Sequence, residues 1–188
     1  MSVLHPLPDL ARREQPWPNG AGSTVELACG PAPADWRWRL SIARIERDAP
    51  FSVLPGVRRQ LAPLDAPLAL RFPDGREQVL LRLAVARFDG ADAPQARLPE
   101  GPTRAFNLML RGTAQGELIA RPLNGAMLLP AEPGRRWFAH LLAGRAAVEA
   151  GAERAALAPG DSLWIEAPPG GRVRLEGGGE LVLAKLEA

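Results

Sequence analysis

Residues 35–60 read DWRWRLSIARIERDAPFSVLPGVRRQ, and this stretch decides the fold class. Period-two alternation puts Trp36, Trp38, Leu40 and Ile42 on one face of a strand over 36–45, and Arg37, Arg39, Ser41 and Ala43 on the other. Breakers at Asp48-Ala49-Pro50 end the strand. A second turn signal, Pro55-Gly56, precedes the extended basic run Val57-Arg58-Arg59-Gln60. An apolar face backed by guanidinium and hydroxyl groups is the pattern of one wall of a small β-barrel pocket.

Outward from this stretch the same rhythm continues. Residues 2–7 read as a first edge strand, and 8–13 offer one or two helical turns. The segment 16–24 is too rich in Pro and Gly for regular structure and leads into a strand over 25–29. Its Trp17 either packs as a plug or, with Asn19, turns toward a ligand. Pro73-Asp74-Gly75 between 68–72 and 79–83 predicts a hairpin, and so does Asn124-Gly125 between 116–122 and 126–129. Ala143-Gly144 reads as a further turn. Apolar runs recur every eight to twelve residues or so, the pattern of a sandwich or barrel, with no strict repeat.

Composition agrees. The 188 residues include 20 prolines and 19 glycines, and 46% are hydrophobic, as suits short strands joined by turns in one domain or two small halves sharing a core. The formal charge is +2, and Lys185 is the only lysine, so the positive charge is almost all arginine. Arginine recognises carboxylate and phosphate through a planar fork, although a GC-rich genome also enriches it. Basic and acidic residues are interspersed, which speaks against nucleic acid as a partner. Cys29 is the only cysteine, so no intrachain disulfide forms. With no signal-peptide pattern and no apolar run of membrane-spanning length, a soluble cytoplasmic protein with no membrane partner is expected.

Leu157-Ala158-Pro159-Gly160-Asp161-Ser162-Leu163 resembles the strand–turn–strand of a cupin barrel. Several ordered blocks carry a more specific resemblance: Pro16-Trp17-Pro18-Asn19-Gly20-Ala21-Gly22, the strand from Asp35, Pro50-Phe51-Ser52 with Pro55-Gly56-Val57, and Gly101-Pro102-Thr103-Arg104 followed by Phe106-Asn107-Leu108-Met109. Together these resemble the HutD/Ves family over most of the chain. Two positions depart from it: Pro18 stands where the family's loop usually has lysine, and Ala21 where it has the middle glycine. The resemblance implies an all-β bicupin over residues 1–188, two closely packed antiparallel β-barrels of cupin (RmlC-like jelly-roll) type with few short helices. The approximate halves are 1–105 and 106–188. It also implies an association with bacterial histidine utilisation, with a regulatory role and binding of a small pathway acid.

The residue inventory narrows the chemistry. Only His5 and His140 are present, with no His-x-His pair, so no metal is expected, and no cofactor either. Cys29 and the serines lack an adjacent base, which leaves nucleophilic catalysis little support. Anion binding is best supported. Arg39 and Ser41 share a strand face, Arg58 or Arg59 lies in the following segment, with Arg58 taken into the set, and Arg104 and Asn107 stand in a later block; Trp17 and Asn19 complete the ligand-binding set. Trp36 and Trp38 are expected in the core. The expected function is metal-independent binding of a small carboxylate metabolite. A cofactor-independent hydrolase or isomerase of a small acid or amide, and a structural partner of another pathway protein, are the alternatives. A homodimer through edge strands is the assembly such barrels suggest.

Overall fold

The computed structural model describes residues 3–7, 13–166 and 170–187. The strands begin with β1 (Leu4–Pro6), β2 (Arg13–Pro16), β3 (Gly22–Ala32), β4 (Asp35–Ile45) and β5 (Ala49–Pro50). They continue with β6 (Val57–Pro63), β7 (Leu68–Arg71), β8 (Glu77–Leu80), β9 (Ala86–Asp89), β10 (Gln95–Arg97) and β11 (Thr103–Arg111). Five more complete the chain: β12 (Gly116–Pro130), β13 (Arg135–Ala150), β14 (Glu153–Leu157), β15 (Ser162–Ile165) and β16 (Arg172–Glu187). All strand pairs are antiparallel. Among the described residues helix is limited to a 3-10 turn, Gly90–Asp92, and no helix is long and apolar enough to cross a membrane. The helical turns expected over 8–13 lie mostly outside the described residues; Arg13 itself begins β2.

The chain forms two compact units, Leu10–Ala114 and Met1–Asp9 with Gln115–Ala188. The sequence reading put the approximate halves at 105/106, a point inside β11. The first unit has a six-stranded sheet, β2-β3-β4-β11-β6-β9, and a four-stranded sheet, β5-β10-β7-β8. Ala43, Ile45, Leu61, Ala86 and Ala105 of the larger sheet pack with Leu68, Leu70, Leu80 and Ala96 of the smaller one and with Phe72, just past the end of β7. On β4 the face that meets this core is therefore the one carrying Arg39, Ser41 and Ala43. The opposite face is also buried at Leu40, while Trp36 and Trp38 are only half-buried and outside the buried core. The Arg111 guanidinium lies 4.0 Å from the centre of the Trp36 ring. Trp38 covers Gly30, where a Cβ would stand 2.2 Å from the indole.

The Pro73-Asp74-Gly75 hairpin forms as expected, pairing Leu68 with Leu80 and Arg71 with Glu77. In the second unit the order is β1-β15-β13-β16-β12, with β14 also on β13. The Asn124-Gly125 hairpin does not form: β12 runs straight through it, pairing Asn124 with Gly178 and Gly125 with Gly177. Ala143-Gly144 likewise bends β13 rather than ending it. A register shift between Leu141 and Ala143 reverses the strand's parity, since one extra residue moves every later side chain to the other face. Trp137, Ala139 and Leu141 enter the core before it, and Ala146, Val148 and Ala150 after it. Gly144, at φ +83, lets the bend close; a Cβ there would stand 2.0 Å from the Gly178 carbonyl oxygen.

Candidate functional site

The central strands of the first unit bring the site together by register. On β11, Asn107 lies opposite Ser41 and Met109 opposite Arg39; on its other side Met109 lies opposite Arg59 and Asn107 opposite Leu61. On β3, Glu26 lies opposite Ser41 and Thr24 opposite Ala43. Because pairs directly opposite share a face, Thr24, Glu26, Arg39, Ser41, Asn107 and Arg59 form a polar patch continuous with the unit's apolar core.

Arg59 dominates it. Its side chain is 5% exposed, and its Nη2 donates to Asn107 Oδ1 at 2.9 Å. Asn107 in turn donates from Nδ2 to the Ala105 carbonyl oxygen at 3.2 Å. The guanidinium carbon is 4.7 Å from the centre of the Phe51 ring and 5.3 Å from that of Phe88. Its Nε has no hydrogen-bond partner, and among the described residues no carboxylate pairs with it. Burial alone pulls its pKa down to about 10, because an apolar setting disfavours the charged form. A buried cation without a counter-ion is costly, and an incoming anion would relieve that cost.

Arg39 is different. Its Nε sits 2.7 Å from Glu26 Oε2, both side chains about a fifth exposed, but the N–H is not aimed at the oxygen. The Cys29 thiol donates to Glu26 Oε1 at 3.5 Å. Ser41, 1% exposed, adds a hydroxyl between these groups and Asn107. Trp17 closes one side: its Nε1 donates to Thr24 Oγ1 at 2.8 Å, and its ring meets Phe51 edge-on at 6.4 Å.

Of the sequence candidates, Arg39, Ser41 and Asn107 therefore stand on one face, with Trp17 beside it. Three others do not join them. Asn19 Oδ1 accepts from the Ala21 amide at 3.0 Å, which makes it a turn residue. Arg58 has opposite parity to Arg59 and donates to the Gly112 and Ala114 carbonyls. Arg104 is exposed and forked onto Asp65, at 2.8 Å from both Nε and Nη2. That pair holds the Asp65 carboxyl below its ordinary range, chiefly through the Arg104 hydrogen bond. Arg59, Glu26 and Thr24 are the additional polar groups at the site. The sequence leaves Arg58 and Arg59 open as alternatives, and the register of β6 against β11 places Arg59 on this face.

The two histidines lie in the second unit, on β1 and β13 with β15 between those strands, and His140 Nδ1 lies 2.8 Å from Ser162 Oγ. Among the described residues no three His, Cys, Asp or Glu side chains converge to hold a metal ion.

The fold and this polar inner face define an all-β protein of the bicupin class. The HutD family profile matches residues 10–183, and the chain belongs to that family. It is 36% identical to Protein Ves of Cronobacter sakazakii over 145 residues, 64% of this chain and 80% of that one. It is 37% identical to Protein Ves of Escherichia fergusonii over 98 residues, 50% of this chain and 51% of that one. An uncharacterized 21.2 kDa protein in the hutC 3' region of Pseudomonas putida is 34% identical over 97 residues, again 50% and 51% of the two chains. The chain thus spans about half the length of several curated relatives it matches.

Solved structures share the fold. The conserved protein of unknown function PA5104 from Pseudomonas aeruginosa PAO1 superposes with a TM-score of 0.88, at 24% identity over all of both chains. HutD from Pseudomonas fluorescens SBW25, in a formate condition, gives 0.79 at 24% identity and 98% of both chains. A cupin 2 conserved barrel domain protein from Leptotrichia buccalis gives 0.53 at 8% identity and 88% of both chains.

Proposed function

We propose that this protein binds a small carboxylate metabolite on the polar inner face of its first unit, without a metal, and that it serves a regulatory role in histidine utilisation. One observation carries the binding reading: Arg59 is buried and uncompensated, its Nη2 holds Asn107, and its Nε is unpartnered. A carboxylate reaching Arg59 would receive charge-assisted hydrogen bonds and remove the cost of the lone buried cation. Phe51, Phe88 and Trp17 supply apolar walls, as in most small-molecule sites. The link to histidine utilisation is supported by family membership, by the Pseudomonas relative in the hutC 3' region, and by the solved HutD in a formate condition.

Calorimetric titration with urocanate, formylglutamate, glutamate and formate tests the binding. At least one should bind, and Arg39→Ala should weaken it without unfolding the protein. Absence of binding by all four at millimolar concentration would sink the reading. Deleting the gene should change the response of histidine-utilisation expression to urocanate; an unchanged response would remove the regulatory role.

A further inference from the structure

The second unit carries a cavity of about 510 Å³ that the carboxylate reading leaves unused. It lies across β14, β13, β16 and β12, and the strand registers explain its shape. One cross-strand row is Ala156, Ala147, Glu176 and Ala126. The next row is Arg154, Glu149, Arg174 and Leu128. On the other side Arg145 faces Gly178, and Gly178 faces Asn124. Three alanines thus form a flat floor between an ion-pair ridge and a single arginine, and Glu176, the fourth residue of that row, is drawn into the ridge by Arg174 and Arg154. The glycine-rich bend opens the Arg145 side, since a Cβ at Gly178 would meet nothing within 4 Å.

The charges on the two sides differ. In the ridge, Arg154 pairs with Glu149 at 3.0 Å, and Arg174 with Glu176 at 2.5 Å. Weaker cross-pairs of 3.8 and 3.7 Å close the network. Two guanidinium groups and two carboxylates leave it neutral. Arg145 is exposed, and among the described residues no carboxylate pairs with it. The trough therefore offers one uncompensated positive charge at one wall of a shallow apolar floor.

We infer that this trough is a second ligand site, for a flat monoanion whose carboxylate pairs with Arg145 and whose aromatic body lies over Ala147 and Ala156. The volume is within the range of small-molecule sites, roughly 300–1,000 Å³. A planar ring suits a floor of alanines, where the backbone can be approached closely. A dianion finds no second free cation there, and a neutral ring forgoes the arginine fork.

The test is a fluorine NMR titration of the full chain with 4-fluorobenzoate, with 4-fluorobenzamide as the uncharged control. Arg145→Gln should weaken 4-fluorobenzoate about tenfold or more, the scale of a lost charge-assisted hydrogen bond. Ala147→Leu should block the site by filling the floor. Arg59→Met should leave this binding intact, which separates it from the site in the first unit. Full-affinity binding by Arg145→Gln or Ala147→Leu would overturn the inference. So would equal binding of the amide, loss of binding in Arg59→Met alone, or no binding by the wild type at millimolar probe.

Discussion

Arg59→Met removes the buried charge and keeps an unbranched apolar stem against Phe51 and Phe88. The guanidinium's pKa of about 10 sets the size of the effect. At about 1.4 kcal/mol per tenfold change in protonation equilibrium, the charged form lies about 3 kcal/mol above its solvated reference. Methionine removes that cost. It also leaves Asn107 Oδ1 without its donor, at about 1–3 kcal/mol, and forfeits the ring contacts at about 0.5–1 kcal/mol each. The opposing effects nearly cancel, so urea unfolding should place the ligand-free variant within about 1 kcal/mol of the wild type. Ligand should then raise the wild-type midpoint only, since a ligand stabilises the state it binds.

The pH dependence separates this from ordinary packing. The folded pKa lies below the unfolded one, so the unfolded chain holds the proton more tightly. The penalty is fully present below about pH 10 and is relieved as pH rises through that value. Between about pH 9 and 11 the wild type should therefore gain stability relative to Arg59→Met. Few other groups interfere there, because the chain has no tyrosine and one lysine. A variant more than about 3 kcal/mol less stable, with a pH-independent deficit, would refute the reasoning and make Arg59 a compensated structural cation.

Other expectations follow from the same geometry. Arg104→Ala removes an exposed fork, so it should cost only about 0.2–1 kcal/mol in urea unfolding and leave acid binding unchanged. The Asp65 pair is present at neutral pH and lost as pH falls through the depressed folded pKa of Asp65, so the difference between Arg104→Ala and wild type should shrink in acid. Gly144→Ala should destabilise by about 2–4 kcal/mol, through a strained positive φ and a clash with the Gly178 carbonyl. Gly178→Ala, which meets open space, should melt within about 0.5 kcal/mol of wild type. Trp17→Phe removes the hydrogen bond to Thr24 Oγ1 and should cost about 1 kcal/mol by the same measurement.

How far the sequence could be read depended on what period two specifies. Alternation located the strand from 36 to 45 and grouped Arg39 with Ser41, because successive side chains must alternate. It does not say which face a sheet buries, and β4 turned its Ser41 and Ala43 face toward the core while Trp36 and Trp38 stayed half-exposed. The same limit explains Arg58. Choosing between adjacent arginines requires the register of β6 against β11, a long-range pairing absent from the local pattern. The Arg104 fork onto Asp65 is likewise invisible to a local pattern, because that acid is near in space and distant in sequence. Turn chemistry was reliable at Pro73-Asp74-Gly75, where the strands end. It failed at Asn124-Gly125, where the long-range pairing with Gly177 and Gly178 of β16 keeps β12 running through the turn signal. The ordered blocks of the HutD/Ves resemblance carried the bicupin assignment, which periodicity alone left at sandwich or barrel.

A crystal structure of the full chain grown with the tightest-binding of the four acids is the most direct test. The predicted result is ligand density on the inner face of the first unit, with a carboxylate oxygen within hydrogen-bond distance of Arg59 Nε and close to Asn107. Density only elsewhere, with the Arg59 Nε still unpartnered, would contradict the account.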